Sequence, residues 1–184
     1  MNNIWAPWRM KYITQKKKKG CVFCDIYREK KDKKNFVVLR SSHCFVLLNI
    51  FPYNNGHLMI VSNRHTCLEK LTKPESFDTH ETLTKMIPIL KKALKPDGFN
   101  IGINMGKFAG AGLEHLHIHL VPRWKEDTNF MPVLTDTKII SQSLKELYIL
   151  LIKEVKMQKS TTPQQATGYR MFIPDNFFAA SCGE

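Results

Sequence analysis

The residues best able to do chemistry lie in one short stretch, His115-Leu116-His117-Ile118-His119-Leu120-Val121. Three imidazoles alternate with apolar residues. That period of two predicts a strand with one polar and one buried face. On a helix the rings would fan out around the axis. On a strand they share a face, while Leu116, Ile118 and Leu120 enter a core. Just upstream, Gly106-Lys107-Phe108-Ala109-Gly110-Ala111-Gly112 is a glycine-rich loop that can turn backbone N–H groups toward an anion. A row of imidazoles beside a phosphate-sized cradle suggests chemistry at phosphorus. Imidazole is also a common zinc ligand, so a metal site built from these three histidines alone is an alternative on residue type.

Attack of an imidazole nitrogen on phosphorus is nucleophilic catalysis, which divides one hard displacement into two easier ones. The attacking nitrogen keeps its lone pair only if the other ring nitrogen carries the proton and an acceptor holds it there. The middle residue, His117, has an imidazole on either side and is best placed for the attack.

The pattern His-apolar-His-apolar-His-apolar-apolar resembles the signature of the histidine triad (HIT) family of nucleotide hydrolases and transferases. The likeness extends to Asn49-Ile-Phe-Pro-Tyr-Asn-Asn-Gly-His57-Leu-Met-Ile-Val, to Asp97-Gly-Phe-Asn-Ile-Gly-Ile-Asn104-Met-Gly106, and to Val121-Pro-Arg-Trp124 through Asp127-Thr-Asn-Phe-Met131. These stretches look like the bacterial branch, which includes diadenosine polyphosphate hydrolases and phosphorylases, and the resemblance covers about residues 4 to 157. It implies a five-stranded antiparallel sheet with packed helices, a homodimer, and cleavage of dinucleoside polyphosphates. His117 would become nucleotidylated, His119 would hold developing phosphate charge, and His57 would brace the triad. Asn49 would contact ribose and Asn104 the nucleotide near its phosphates. Gly106, Ala111 and Gly112 would line the phosphates, with N–H donors from around Ala111 and Gly112. Many members carry a polar Ser or Gln in this loop; here Gly110-Ala111-Gly112-Leu113 lacks that side-chain donor.

Trp124 is a candidate for stacking on a base, and Arg123 and Lys107 for meeting distal phosphates. An apolar slot of Ile50, Phe51 and Tyr53 would grip a purine by stacking. No residue stands out as a hydrogen-bonding reader of the base edge.

The five cysteines are Cys21, Cys24, Cys44, Cys67 and Cys182. An odd count with a close Cys21-x-x-Cys24 pair is unlike a disulfide framework and suits a reducing compartment. Two thiolates from one tight turn can hold a metal. The resemblance implies that the other ligands of a structural zinc would be His65 and His115, which would make His115 a ligand and not a catalytic base.

Several elements must position these groups. Phe36–Leu39 and Cys44–Leu48 read as a hairpin, His57–Val61 as a strand after the Asn54-Asn55-Gly56 turn, and Phe99–Asn104 as a strand before the glycine loop. Ser76–Lys95 reads as a helix with an apolar stripe from Leu83 to Leu94, kinked or broken at Pro88. Pro122 is expected to end the histidine strand. Residues 125–138 read as an irregular excursion and Ile139–Val155 as a second helix. The order suggests an α+β domain over 21–157, flanked by an arm (1–20) and a polar-then-aromatic tail (158–184).

At 184 residues the chain suits one domain. No apolar run approaches the ~20 residues that cross a bilayer, and Met1-Asn-Asn-Ile-Trp lacks the order of a signal peptide, so a cytoplasmic location without membrane association is expected. The net charge is +12, and residues 1–34 carry eleven Lys/Arg against three Asp/Glu. These runs contain almost no aromatics, which fits solvated loops better than a nucleic-acid surface. Three function classes remain: a nucleotide-cleaving enzyme with water or phosphate as acceptor, a nucleotide-binding module with little activity, and a nucleic-acid binder using the basic arm.

Overall fold

The computed structural model describes residues 20–125, 127, 140 and 142–161. The arm before Gly20, most of the excursion at 125–138 and the chain beyond 161 lie outside the described residues. Five strands, β1 (Val37–Arg40), β2 (Cys44–Leu48), β3 (Leu58–Ser62), β4 (Gly98–Gly102) and β5 (His117–Arg123), form one antiparallel sheet in the order β1-β2-β3-β5-β4. The expected α+β architecture is therefore the observed one.

Register decides what faces what. One row runs Val37, Leu47, Met59, His119, Gly102, and another runs Arg40, Phe45, Val61, His117. Residues in such rows share a face, so His117 and His119 lie on the side lined by Phe45, Leu47, Met59 and Val61. Phe23 closes that cluster from α1 (Val22–Glu29). The opposite face holds the larger core, where Val46, Leu48, Leu58, Ile60 and Leu120 meet the two long helices α3 (Lys73–Leu94) and α4 (Leu144–Thr161). With both faces covered, β2 and β3 are buried along their whole length. That is why their sequences read as apolar runs and not as alternation. Full burial of each such aliphatic side chain is worth roughly 1.5–3 kcal/mol.

α3 begins three residues before the expected Ser76. Thr72 and Glu75 form a reciprocal capping box, with Thr72 N–H donating to Glu75 at 2.8 Å and Glu75 N–H to Thr72 Oγ1 at 3.4 Å. The helix continues through Pro88 without the expected break. The missing N–H orphans the carbonyl of Thr84, and both Thr84 and Pro88 lie on the exposed side, where water can satisfy it. α4 starts at Leu144, not Ile139, and buries Leu147, Leu151 and Val155.

The triad strand also differs from expectation at both ends. It starts at His117, with His115 just before it, and runs through Pro122 to Arg123. The Pro122 carbonyl accepts from Asn54 Nδ2 at 3.0 Å, on the side away from β4, and β3 is already past its end there. A proline nitrogen pointing the same way interrupts no ladder bond. The Asn54–Gly56 turn is held close by the same contact. Gly56 adopts φ +76 with a Leu94 methyl where a Cβ would sit, so only glycine fits.

Two elements were not expected from sequence, α1 and the single-turn α2 (Asp32–Asn35), and the basic stretch Arg28–Lys34 runs from the end of the first into the second. Arg40 ties them to the sheet through a bidentate pair with Asp32 and a bond to the Ile26 carbonyl at 3.3 Å. Lys30 and Phe36, which cap the two helices, both adopt left-handed backbone.

Candidate active site

β5 and the residues leading into it place successive histidines in different environments. The His115 ring sits with Nε2 2.8 Å from the Ser62 carbonyl. A carbonyl only accepts, so that nitrogen carries the proton and Nδ1 is left bare. Two residues on, the His117 Nδ1 lies 2.8 Å from the His115 carbonyl. Its proton is therefore on Nδ1, and Nε2 keeps the lone pair with no protein partner among the described residues.

A chain of contacts fixes the third ring. The Tyr53 N–H donates to His57 Nδ1 at 3.0 Å, which puts the His57 proton on Nε2. That nitrogen is 2.9 Å from His119 Nδ1 and donates to it. The His119 proton is consequently on Nε2, a buried atom with no partner among the described residues. Burial, reinforced by His119 and His117, pushes His57 down to about 3, so it stays neutral. Burial also lowers His119 and His115. The rings pack closely, with His117 and His119 centroids 4.9 Å apart and Tyr53 over His57 at 4.7 Å. A lone pair at His117 and an unpartnered N–H at His119 thus sit side by side, as nucleophile and anion donor must.

His117 and His119 form the floor of a cleft of about 660 Å³. α1, the chain from Lys34 to Phe36 and the 48–53 segment wall it on one side, and Asn104, Gly110, Gly112 and Leu113 on the other. Asn49 lines it but is largely committed. Its Oδ1 accepts from the Phe51 N–H at 2.9 Å and its Nδ2 lies 3.3 Å from the His57 ring. Ile50, Phe51 and Tyr53 line the cleft and are about half exposed, as a stacking slot requires. Asn104 donates to the Gly110 carbonyl at 3.4 Å, bracing the loop.

The glycine loop is more internally bonded than its composition suggests. The Ala111 N–H donates to the Gly106 carbonyl at 3.2 Å, and Gly110 N–H to Lys107. Ala111 and Gly106 line a second recess of about 230 Å³, separate from the cleft's lining except at Asn104, Leu113 and His117. Gly112, which does line the cleft, is the better candidate donor. Trp124 and Arg123 lie outside the cleft's lining in this chain. The Trp124 indole donates to the Leu94 carbonyl at 3.3 Å at the end of α3, outside the cleft's lining. Arg123 is paired with Asp127 and Asn100. Both follow from β5 running on past Pro122, which carries them about 20 Å from His117 at ~3.3 Å per residue.

A second cluster abuts the first. Cys21, at the N-cap of α1, and Cys24, in its first turn, meet His65 and His115 with their ligand atoms within 4.8 Å of one another. The bare His115 Nδ1 is 3.2 Å from Cys21 Sγ and 3.5 Å from Cys24 Sγ, and His65 Nδ1 is 3.4 Å from Cys24 Sγ. Metal–ligand bonds of about 2.0–2.3 Å in a tetrahedron leave neighbouring ligand atoms about 3.5 Å apart, so the group fits a four-coordinate ion.

Comparison with known proteins agrees with this geometry. The HIT domain matches residues 30–126. The chain is 37% identical over 165 residues to the AP-4-A phosphorylase of Mycobacterium tuberculosis, covering 84% of each chain. It is 38% identical over 91 residues to a bis(5'-adenosyl)-triphosphatase of Saccharomyces cerevisiae, covering 48% of this chain and 44% of that one. A Zn-bound histidine triad family protein from Mycobacterium smegmatis superposes with a TM-score of 0.64 at 23% identity, over 78% of this chain and 98% of that one.

Proposed function

The chain belongs to the HIT domain family, and we propose that it is an enzyme that cleaves dinucleoside polyphosphates through a nucleotidyl group carried on His117. The observation that carries this reading is the tautomer of His117. Its Nδ1 proton is anchored on a backbone carbonyl, and its Nε2 lone pair faces the cleft beside the His119 N–H.

In the first step Nε2 bonds to the α-phosphorus, and the bond from phosphorus to the bridging oxygen breaks with its electron pair on the departing polyphosphate. His119 Nε2–H donates to a non-bridging oxygen as charge develops, and the Gly112 N–H assists. In the second step an acceptor oxygen bonds to phosphorus, the N–P bond breaks with its electron pair returning to Nε2, and the proton of an attacking water passes to solvent. With water the product is the nucleoside monophosphate, and with inorganic phosphate the diphosphate. One relative is named a phosphorylase and another a triphosphatase, so both acceptors remain within this reading. The test is turnover of diadenosine tetraphosphate with and without phosphate. AMP plus ATP indicates water, ADP plus ATP indicates phosphate, and no cleavage under either condition overturns the proposal.

We further propose that Cys21, Cys24, His65 and His115 hold a structural zinc; the close approach of two thiols and two imidazoles supports this, as does the Zn-bound relative. Zinc there would supply crosslinking only, pinning α1 to the chain just before β5 without touching substrate. A homodimer is proposed through β4, an edge strand with exposed Ile101 beside exposed Met105 and Phe108. A reducing, cytoplasmic setting suits the described cysteines, which are all free thiols.

A further inference from the structure

The cleft runs across the sheet, away from the histidines. From His119 the row passes through Met59 and Leu47 to Val37, three strand spacings or about 14 Å. Its walls along the way are apolar, with Leu47, Leu48, Phe51 and Ile26 among them. At its far end the character changes, and Glu29, Lys34 and Asn35 join the lining. Asn35 Nδ2 donates to Glu29 Oε2 at 3.4 Å, and Lys34 Nζ donates to the same oxygen at 3.2 Å. Glu29 Oε1 and Asn35 Oδ1 have no partner among the described residues. These two contacts hold the Glu29 carboxyl below its usual range, so it is an acceptor only at neutral pH.

The mounting is firm. Phe36, next to Asn35, adopts φ +53, its N–H bonds to the Asp32 carbonyl and its carbonyl accepts from Leu48 at 3.1 Å. Arg40 clamps Asp32 of the same turn. A nucleotide with its phosphorus at His117 and its base in the apolar stretch directs the outer edge of that base toward this end.

We infer that Asn35, oriented by Glu29, is the specificity-determining residue of the cleft, and that it selects a base bearing an exocyclic amino group, adenine over a 6-keto purine. The inference rests on the cleft being the nucleotide site proposed above. Asn35 Oδ1 accepts from the amino group and the second Nδ2–H donates to the neighbouring ring nitrogen, while Glu29 holds the first Nδ2–H and so fixes which way the amide faces. A bidentate amide of this kind discriminates well between purines. A keto oxygen in the same place would face the Asn35 Oδ1 acceptor, which is repulsive, and Glu29 opposes the amide flip that would relieve it.

The test is calorimetric binding of AMP and IMP to the full chain, alongside turnover of the two corresponding dinucleoside tetraphosphates. Wild type should bind AMP about tenfold or more tighter than IMP. Asn35→Leu should bring the ratio within about threefold by weakening AMP, and Asn35→Ser should do the same if the leucine variant fails to fold. An Asn35 variant that keeps the wild-type ratio, or a wild type without preference, overturns the inference. If AMP is preferred through Asn35 but no dinucleoside polyphosphate is cleaved, the inference stands and the proposed reaction falls.

Discussion

His115 and His117 are two residues apart, both buried, and opposite in tautomer. The Ser62 carbonyl draws the His115 proton to Nε2 and leaves Nδ1 facing two thiols. The His115 carbonyl draws the His117 proton to Nδ1 and leaves Nε2 facing the cleft. One residue type on one segment is thus divided between a metal cluster and a reaction centre by which backbone oxygen each ring meets. Chemistry here is assigned by the position of a proton, and the protein sets that position with its main chain.

The largest effect should come from removing the free lone pair. His117→Ala should lower turnover of diadenosine tetraphosphate by several orders of magnitude, with melting temperature and AMP affinity nearly unchanged. Steady-state rates beside thermal scans check this, and retained activity would break the contrast at its catalytic half. The metal half responds differently. Cys21→Ala, Cys24→Ala and His115→Ala should each lose zinc and melt earlier, because metal binding is coupled to folding. Metal analysis after purification without chelators should find about one zinc per chain. A wild type with none would release His115 from the ligand role.

A smaller change tests whether the relay sets the His119 tautomer. His57→Phe removes the donor to His119 Nδ1 and should cost about tenfold to a hundredfold in kcat, with KM less affected. A separate effect is on acid stability. His57 has a folded value of about 3 against 6.5 for a free imidazole, so the unfolded chain binds the extra proton between these limits. Its contribution is complete above pH 6.5 and is lost as pH falls toward 3. The melting temperature of wild type should therefore fall more steeply over that window than that of His57→Phe.

The triad, the five strand segments along the chain and the apolar stripes of the two long helices are legible because alternation and apolar runs record burial directly. His115, His65 and the Cys21-x-x-Cys24 pair were brought together by the family resemblance, since 41 residues separate Cys24 from His65 and no local spacing joins them. α1 was missed because it is only eight residues long, too short for Phe23, Ile26 and Tyr27 to stand out as a periodic stripe. The polar end of the cleft was hidden inside a run of lysines, whose composition signals only solvation. Pro122 and Pro88 were over-read. Each proline's missing N–H points where no partner is required, and that direction is a property of tertiary context.

The central claim is tested most directly by rapid-quench trapping with diadenosine tetraphosphate labelled at the α-phosphorus, followed by digestion and mapping of the labelled peptide. The account expects acid-labile label on Nε2 of His117, formed before product and missing from His117→Ala. Label on His115 or His119, or product release by His117→Ala with no adduct, would contradict it.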